Sequence, residues 1–159
     1  MKNPPERDAR EVQQFIERFA SALVDAGMPR MPALVFVALL SSDGGRLTAD
    51  EIAAQLRISR AAISGAVRYL AQVGVLRRER PAGSRRDHYV LQADSWYEMV
   101  ARREALLDRW IAGGRAGIDA LGPATPAGER LAESVAFFEF VREEMPALLA
   151  RWRERRDAR

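Results

Sequence analysis

Apolar residues recur at three- and four-residue intervals from the start of the chain: Val12, Phe15, Ile16, Phe19, Leu23 and Val24 within residues 6–26. That spacing places them on one face of a helix, with Glu11, Arg18 and Asp25 elsewhere on the wheel, and predicts an amphipathic helix. Gly27 supplies a C-cap and Pro29 a stop. Pro32 suits the first residue of a second helix, which runs through Leu34-Val35-Phe36-Val37-Ala38-Leu39-Leu40 to about Ser41. Being apolar nearly all round, this helix is expected at the centre of the core. Its longest apolar run, Ala33 to Leu40, is far short of the roughly 18 residues a membrane span needs.

After the turn Ser41-Ser42-Asp43-Gly44-Gly45, two start signals coincide. Thr48 and Glu51 have capping-box spacing, and Leu47 and Ile52 have that of a hydrophobic staple, so a short helix starts at Thr48. The same punctuation returns at once: Ser59 is a good N-cap, and Ile58 can staple to Ile63. Two capped helices separated by about three residues form a helix-turn-helix. The second, from Ser59 to about Val73, carries Ala62, Ile63, Val67 and Leu70 on one stripe and Arg60, Ala61, Ser64, Gly65 and Arg68 on the other. An ordinary solvated face would hold Glu and Lys. Small residues instead let a helix sit deep in a groove, where Arg and Ser reach base edges or phosphates.

Beyond Gly74, residues 75–80 and 86–91 read as two short strands around a Gly-containing turn, a hairpin wing. A long helix then starts at Asp94 or Ser95, with Trp96, Met99, Val100, Leu106, Leu107, Trp110 and Ile111 as its apolar positions, and thins out at Gly113, Gly114 and Gly117, which suggest a bend or a close helix crossing. The final helix spans about Pro126 to Arg156, and Pro146 is expected to kink it. The pattern therefore predicts a mainly α fold with a small β-hairpin wing: a winged helix-turn-helix head over residues 29–92, and long dimerisation helices over 6–26 and 94–157. These long helices carry more apolar surface than a small winged head can cover, and a second copy of the chain is the simplest cover.

Composition narrows the chemistry. The chain has 159 residues, no Cys and one His, His88. Thiol nucleophiles, thiolate metal sites and His-pair metal sites lack their parts. With no Gly-rich phosphate loop and no carboxylate pair outside charged helix faces such as Glu143-Glu144, the sequence does not read as an enzyme, and it calls for no cofactor or metal. The charged, proline-bearing start has no apolar segment of a secretory signal, so a cytoplasmic protein is expected. Net charge is only +3, yet residues 57–86 hold Arg57, Arg60, Arg68, Arg77, Arg78, Arg80, Arg85 and Arg86 against the single acid Glu79, a window of +7 that leaves the rest at −4. A one-sided basic patch fits a polyanion. The run from Arg151 to Arg159, interleaved with acids, reads as a solvated helix end.

The stretch from Leu47 to Leu91, "LTADEIAAQLRISRAAISGAVRYLAQVGVLRRERPAGSRRDHYVL", resembles the winged helix-turn-helix of MarR-type transcriptional regulators. "GMPRMPALVFVALLSSDGGRLTADEIA", "GSRRDHY" and "SWYEMV" are similar to the GbsR-like branch of that family. The resemblance covers about residues 10–155. It implies a homodimer with intertwined first and last helices, a pseudo-palindromic operator, a recognition helix at Ser59–Tyr69 and a wing tip near Gly83 to Arg86 in the flanking minor groove. It also implies a small-molecule effector cavity, for which Trp96, Tyr97, Trp110, Phe137 and Phe138 are the candidate lining; core and dimer interface is the plainer reading of the same aromatics. Many MarR-type wings have an Asp two residues before the wing-tip Arg. Here that position is Ser84, and Asp87 or Glu79 is expected to hold the tip.

The candidate DNA-binding residues are Ser59, Arg60, Ala61, Ser64, Arg68, Arg78, Arg80, Arg85 and Arg86, with double-stranded DNA the partner. Arg60, Ser64 and Arg68, four apart, share one helical face and are the base-reading set; phosphate clamping competes for Arg68. In the wing, strand alternation sends Arg78 and Arg80 to one face and Arg77 to the other, leaving Arg85 and Arg86 as the residues that reach a groove. His88 is read as an ordinary strand residue rather than a pH-sensitive phosphate contact. Two other functions fit the same elements: a winged-helix protein–protein interaction module, and a nonspecific architectural DNA binder.

Overall fold

A computed structural model describes residues 8–101 and 103–158, apart from the side chains of residues 101 and 103. Residues 6 and 7 of the first expected helix lie outside the described residues. The chain divides into two compact units after Ser95.

The first unit contains α1 (Ala9–Asp25), α2 (Arg30–Ser41), β1 (Arg46–Thr48), α3 (Ala49–Leu56), α4 (Arg60–Gln72), β2 (Leu76–Glu79) and β3 (His88–Leu91). Asp8 caps α1 by accepting from the Arg10 backbone N–H at 2.8 Å, and Gly27 takes up the positive φ of +98° that ends the helix. α2 starts at Arg30 rather than Pro32. Pro32 still sits in the first turn, where a missing N–H removes no intrahelical bond. Every residue from Ala33 to Leu39 is buried, and α1, α3, α4 and β3 all pack on this helix.

The helix-turn-helix is capped as its spacing predicts. Glu51 N–H donates to Thr48 Oγ1 at 3.3 Å while Thr48 N–H donates to Glu51 Oε2 at 2.7 Å, the reciprocal capping box at the start of α3. These bonds from Thr48 hold the Glu51 carboxyl below its ordinary range, with smaller contributions from His88 and Arg86. Ser59 Oγ accepts from Ala62 N–H at 3.2 Å and starts α4. Between the two helices Arg57 adopts φ +54°, a left-handed conformation uncommon for a residue with a Cβ.

The sheet is larger than a hairpin. β1 pairs antiparallel with β3, Leu47 opposite Tyr89 and Thr48 opposite His88, giving the order β1-β3-β2. A three-residue strand is too short to display alternation, and its partner lies about forty positions on, so the local pattern shows only the helix start at Thr48. The two foreseen strands are shorter than expected: β2 begins at Leu76 rather than Val75, and residues 80–87 belong to the wing turn.

The second unit, which begins one residue into α5 (Ser95–Ala101), also contains α6 (Arg103–Leu121) and α7 (Pro126–Asp157). α5 and α6 lie on either side of residue 102, within the span expected as one long helix. α7 opens with Thr125 Oγ1 accepting from Gly128 N–H at 3.0 Å and Pro126 in its first turn, and it remains α-helical through Pro146. The glycines mark a crossing. A Cβ on Gly114 would lie 2.5 Å from Val135 Cγ2 and one on Gly117 2.8 Å from Leu131 Cδ1, whereas Gly113 has open space. α6 and α7 are thus antiparallel and in close contact where side chains are missing, and Arg142 reaches Asp108 across them at 3.1 Å.

Adjacent glycines should therefore respond with opposite sign. Gly113→Ala is expected to raise stability by about 0.5–1 kcal/mol through helix propensity, and Gly114→Ala to lower it by about 1–2 kcal/mol through overpacking against Val135. Urea unfolding of the two variants checks this; equal effects would mean that the helices do not approach closely at Gly114.

Candidate nucleic-acid interface

α4 is buried along Ile63, Ala66, Val67 and Leu70. Its opposite face, Arg60, Ala61, Ser64, Gly65 and Arg68, is exposed, and Ser59 stands exposed at its N-terminus. Arg60 is engaged: its guanidinium donates to Asp50 of α3. Arg68, two turns further along, makes no ion pair among the described residues.

The wing is built from a turn and a crosslink. Ser84 N–H donates to the Pro81 carbonyl at 3.0 Å, and Gly83 takes φ +80° as the third residue of that turn, the geometry of a type II turn. Ser84 Oγ then accepts from Arg86 N–H and donates to the Arg86 carbonyl, both at 3.1 Å. Ser84 itself pins the tip, in the place where an Asp or Glu brace was expected. Asp87 acts one step lower. The register Arg78 opposite Tyr89 and Glu79 opposite His88 puts Arg80 across from Asp87 and Arg78 on the diagonal. Asp87 accepts from Arg80 Nε at 2.8 Å and from Arg78 as well. These two charged hydrogen bonds pull its carboxyl down from 3.8 to about 2, and they raise both guanidinium values in turn.

The window of eight arginines thus divides in half. Arg60, Arg77, Arg78 and Arg80 are paired, to Asp50, Glu79, Asp87 and Asp87 respectively. Arg57, Arg68, Arg85 and Arg86 are exposed and make no ion pair among the described residues. The sequence window overstates the free charge because Asp50 and Asp87 fall just outside it and fold back onto it. Asp87 is legible as a partner of Arg80 once the hairpin register is known, whereas the Asp50 pairing depends on how α3 and α4 cross. His88 is half-buried on β3 and its Nδ1 is buried without a hydrogen-bond partner in the structure, so that nitrogen does not face a ligand in solvent.

Of the candidate effector aromatics, the structure brings Trp110, Phe137 and Phe138 together, with ring centroids of Trp110–Phe138 at 5.1 Å and Phe137–Phe138 at 5.8 Å. Tyr97 has its ring under the Arg153 guanidinium at 3.6 Å. Trp96, Trp110 and Phe137 are each substantially exposed. An open groove of about 400 Å³ in the first unit, lined by Glu11, Val12, Phe15, Leu40 and Ser41, includes none of the five. Among the described residues there is no cluster of metal-binding side chains, and no helix is long and apolar enough to cross a membrane.

Comparison with known proteins bears on the whole arrangement. Residues 26–87 match a MarR family model, and residues 94–155 match a model described as MmpR5-like MarR family transcriptional regulator. The two matches together span most of the chain, and both describe one family. The chain belongs to the MarR family of DNA-binding transcriptional regulators. The fold agrees: a crystal structure of a transcriptional regulator superposes with a TM-score of 0.72 at 24% identity, covering 91% of this chain and 99% of that one. A MarR family regulator from Streptomyces coelicolor solved in complex with DNA aligns at 24% identity over 84% of this chain and 82% of its own, with a TM-score of 0.42. NadR in complex with 4-hydroxyphenylacetate aligns at 18% identity over 91% and 97%, also with a TM-score of 0.42. At those scores neither bears on the reading. No curated protein matches the chain.

The wing crosslink makes a pH prediction. Because the folded value of Asp87 lies below its ordinary 3.8, the crosslink stabilises the wing fully above that value and is lost as pH falls toward about 2. A carboxyl-carbon NMR titration is expected to place the midpoint near 2, and to return it toward 3.8 in Arg78→Ala/Arg80→Ala. An unchanged midpoint in the double variant would remove the arginines as the cause.

Proposed function

We propose that this MarR family member is a homodimer that binds a pseudo-palindromic operator sequence-specifically, with α4 in the major groove and the wing tip in the adjacent minor groove. The observation that carries the reading is the placement of the unpaired arginines. Arg68 stands on the exposed face of α4, Arg57 in the helix-turn-helix turn, and Arg85 and Arg86 at the wing tip, so exposed cations that make no ion pair among the described residues sit at both elements that reach DNA in a winged helix. Ser59, Ala61 and Ser64 supply the small, polar surface that allows α4 to approach base edges. Arg60 joins them by exchanging Asp50 for a base or phosphate, a rotation open to it because its side chain is 75% exposed. Arg78 and Arg80 face Asp87, which favours Arg85 and Arg86 as the reaching pair.

Dimerisation is supported by the second unit, which leaves Trp110, Leu121, Phe137, Phe140, Leu148 and Trp152 about half exposed or more. The same exposure favours an interface role for Trp110 and Phe137 over a ligand cavity; with Phe138, Trp96 and Tyr97 they remain the residues to vary in a search for an effector that releases DNA. The GbsR-like placement rests on the motifs at residues 27–53, 83–89 and 95–100.

Sequences selected from a random duplex pool are expected to bind roughly 10³-fold or more tighter than scrambled duplex. Arg68→Ala, Arg85→Ala and Arg86→Ala should each flatten the log–log salt dependence by about 0.9 per protomer, with Arg60→Ala and Arg68→Ala costing more on the selected site than on scrambled DNA. Binding without salt sensitivity would favour the protein–protein interaction module, and a small specificity ratio the architectural binder. Phe140→Glu should shift the protein toward monomer in sedimentation; an unaltered oligomeric state would place the interface elsewhere.

A further inference from the structure

We propose that Asp87 is an internal counterion that limits how many wing arginines engage DNA phosphates, occupying Arg78 and Arg80 so that the tip pair Arg85 and Arg86 makes the contact. A carboxylate that accepts from two guanidiniums satisfies them much as a phosphate oxygen would. The pairing therefore competes directly with the DNA backbone.

The geometry is suited to this competition. Asp87 is 18% exposed, held at the base of the turn, while Arg78 and Arg80 are 62% and 61% exposed. The cations are on the surface and the anion is sheltered, so releasing the arginines takes side-chain rotation and no change of the strands. One step beyond the last strand pair, Glu79 opposite His88, Asp87 accepts from Arg80 and from Arg78, which fixes the trio at the base of the turn. The tip is braced independently by Ser84, so losing the Asp87 charge leaves the turn that carries Arg85 and Arg86 in place. Asp87 is accordingly a positioning residue: it acts on DNA through the arginines it holds, and its effect falls on the sequence-independent part of the affinity.

The inference rests on the reading of the wing as a phosphate-contacting element, and the test separates the two. Binding of random-sequence duplex is measured over a salt series for the wild type, Asp87→Asn, Asp87→Glu and Asp87→Asn/Arg78→Ala/Arg80→Ala, with the fold of each confirmed by thermal melting. Asp87→Asn is expected to bind random duplex more tightly at low salt, with a log–log slope steeper by about 0.9–1.8 per wing as one or both arginines reach phosphate. Asp87→Glu should keep the wild-type slope, and so should the triple variant. A slope unchanged or shallower in folded Asp87→Asn would overturn the proposal, showing a brace without electrostatic control. A loss of about 1.8 per wing in the triple variant would also overturn it, because Arg78 and Arg80 would then already contact phosphate in the wild type; this arm holds even where Asp87→Asn does not fold. A wild type without salt-dependent DNA binding would end the functional reading and this proposal together, whereas a salt-dependent wild type matched by Asp87→Asn ends this proposal alone.

Discussion

The first unit depends on enclosing one helix. α2 is apolar on nearly every side, and leaving it exposed would forfeit about 1.5–3 kcal/mol for each Val, Leu and Phe between Ala33 and Leu39. α1, α3, α4 and β3 each cover part of it. In doing so α4 buries Ile63, Ala66, Val67 and Leu70, and the same helical geometry turns Arg60, Ala61, Ser64 and Arg68 outward. The direction of the candidate recognition face is thus a consequence of burying α2.

Electrostatics then divides what packing exposes. Asp50, Glu79 and Asp87 take up four of the eight arginines in the basic window. Exposed pairs of this kind contribute little to stability, so their larger effect is on which cations stay available. A wing with five free arginines would present a broad, undirected positive charge. One in which Ser84 shapes the tip and Asp87 occupies two of the five presents a smaller, directed charge. β1 gives this wing a third strand and ties it to the start of α3, where Thr48 ends the strand and caps the helix.

The second unit is governed by a different constraint. Gly114 and Gly117 make room on α6 for the Val135 and Leu131 side chains of α7, and Gly128 lets the start of α7 lie against the Gly122 backbone, where larger residues would collide. Leu107, Ile111, Val135 and Leu149 are buried within the chain, whereas Phe137, Phe140 and Trp152 stay open. The two matched segments, residues 26–87 and 94–155, fall almost wholly one in each unit.

Local chemistry made much of this legible from sequence. Capping residues such as Thr48, Glu51, Ser59 and Thr125 act within one turn of helix, and apolar periodicity states which face of α4 is buried, so both can be read along the chain. The glycine run in α6 left a bend and a close crossing as alternatives; choosing between them required the position of Val135 and Leu131 on α7. Likewise β1 exists because β3 offers it an edge, Asp87 meets Arg78 and Arg80 because of the hairpin register, and Asp50 reaches Arg60 because α3 and α4 cross as they do. Residue types and short-range spacing determined the helices, their caps and the number of arginines. Only tertiary structure decided which arginines remain free, because a charge is neutralised by whatever folds against it, wherever that lies along the chain.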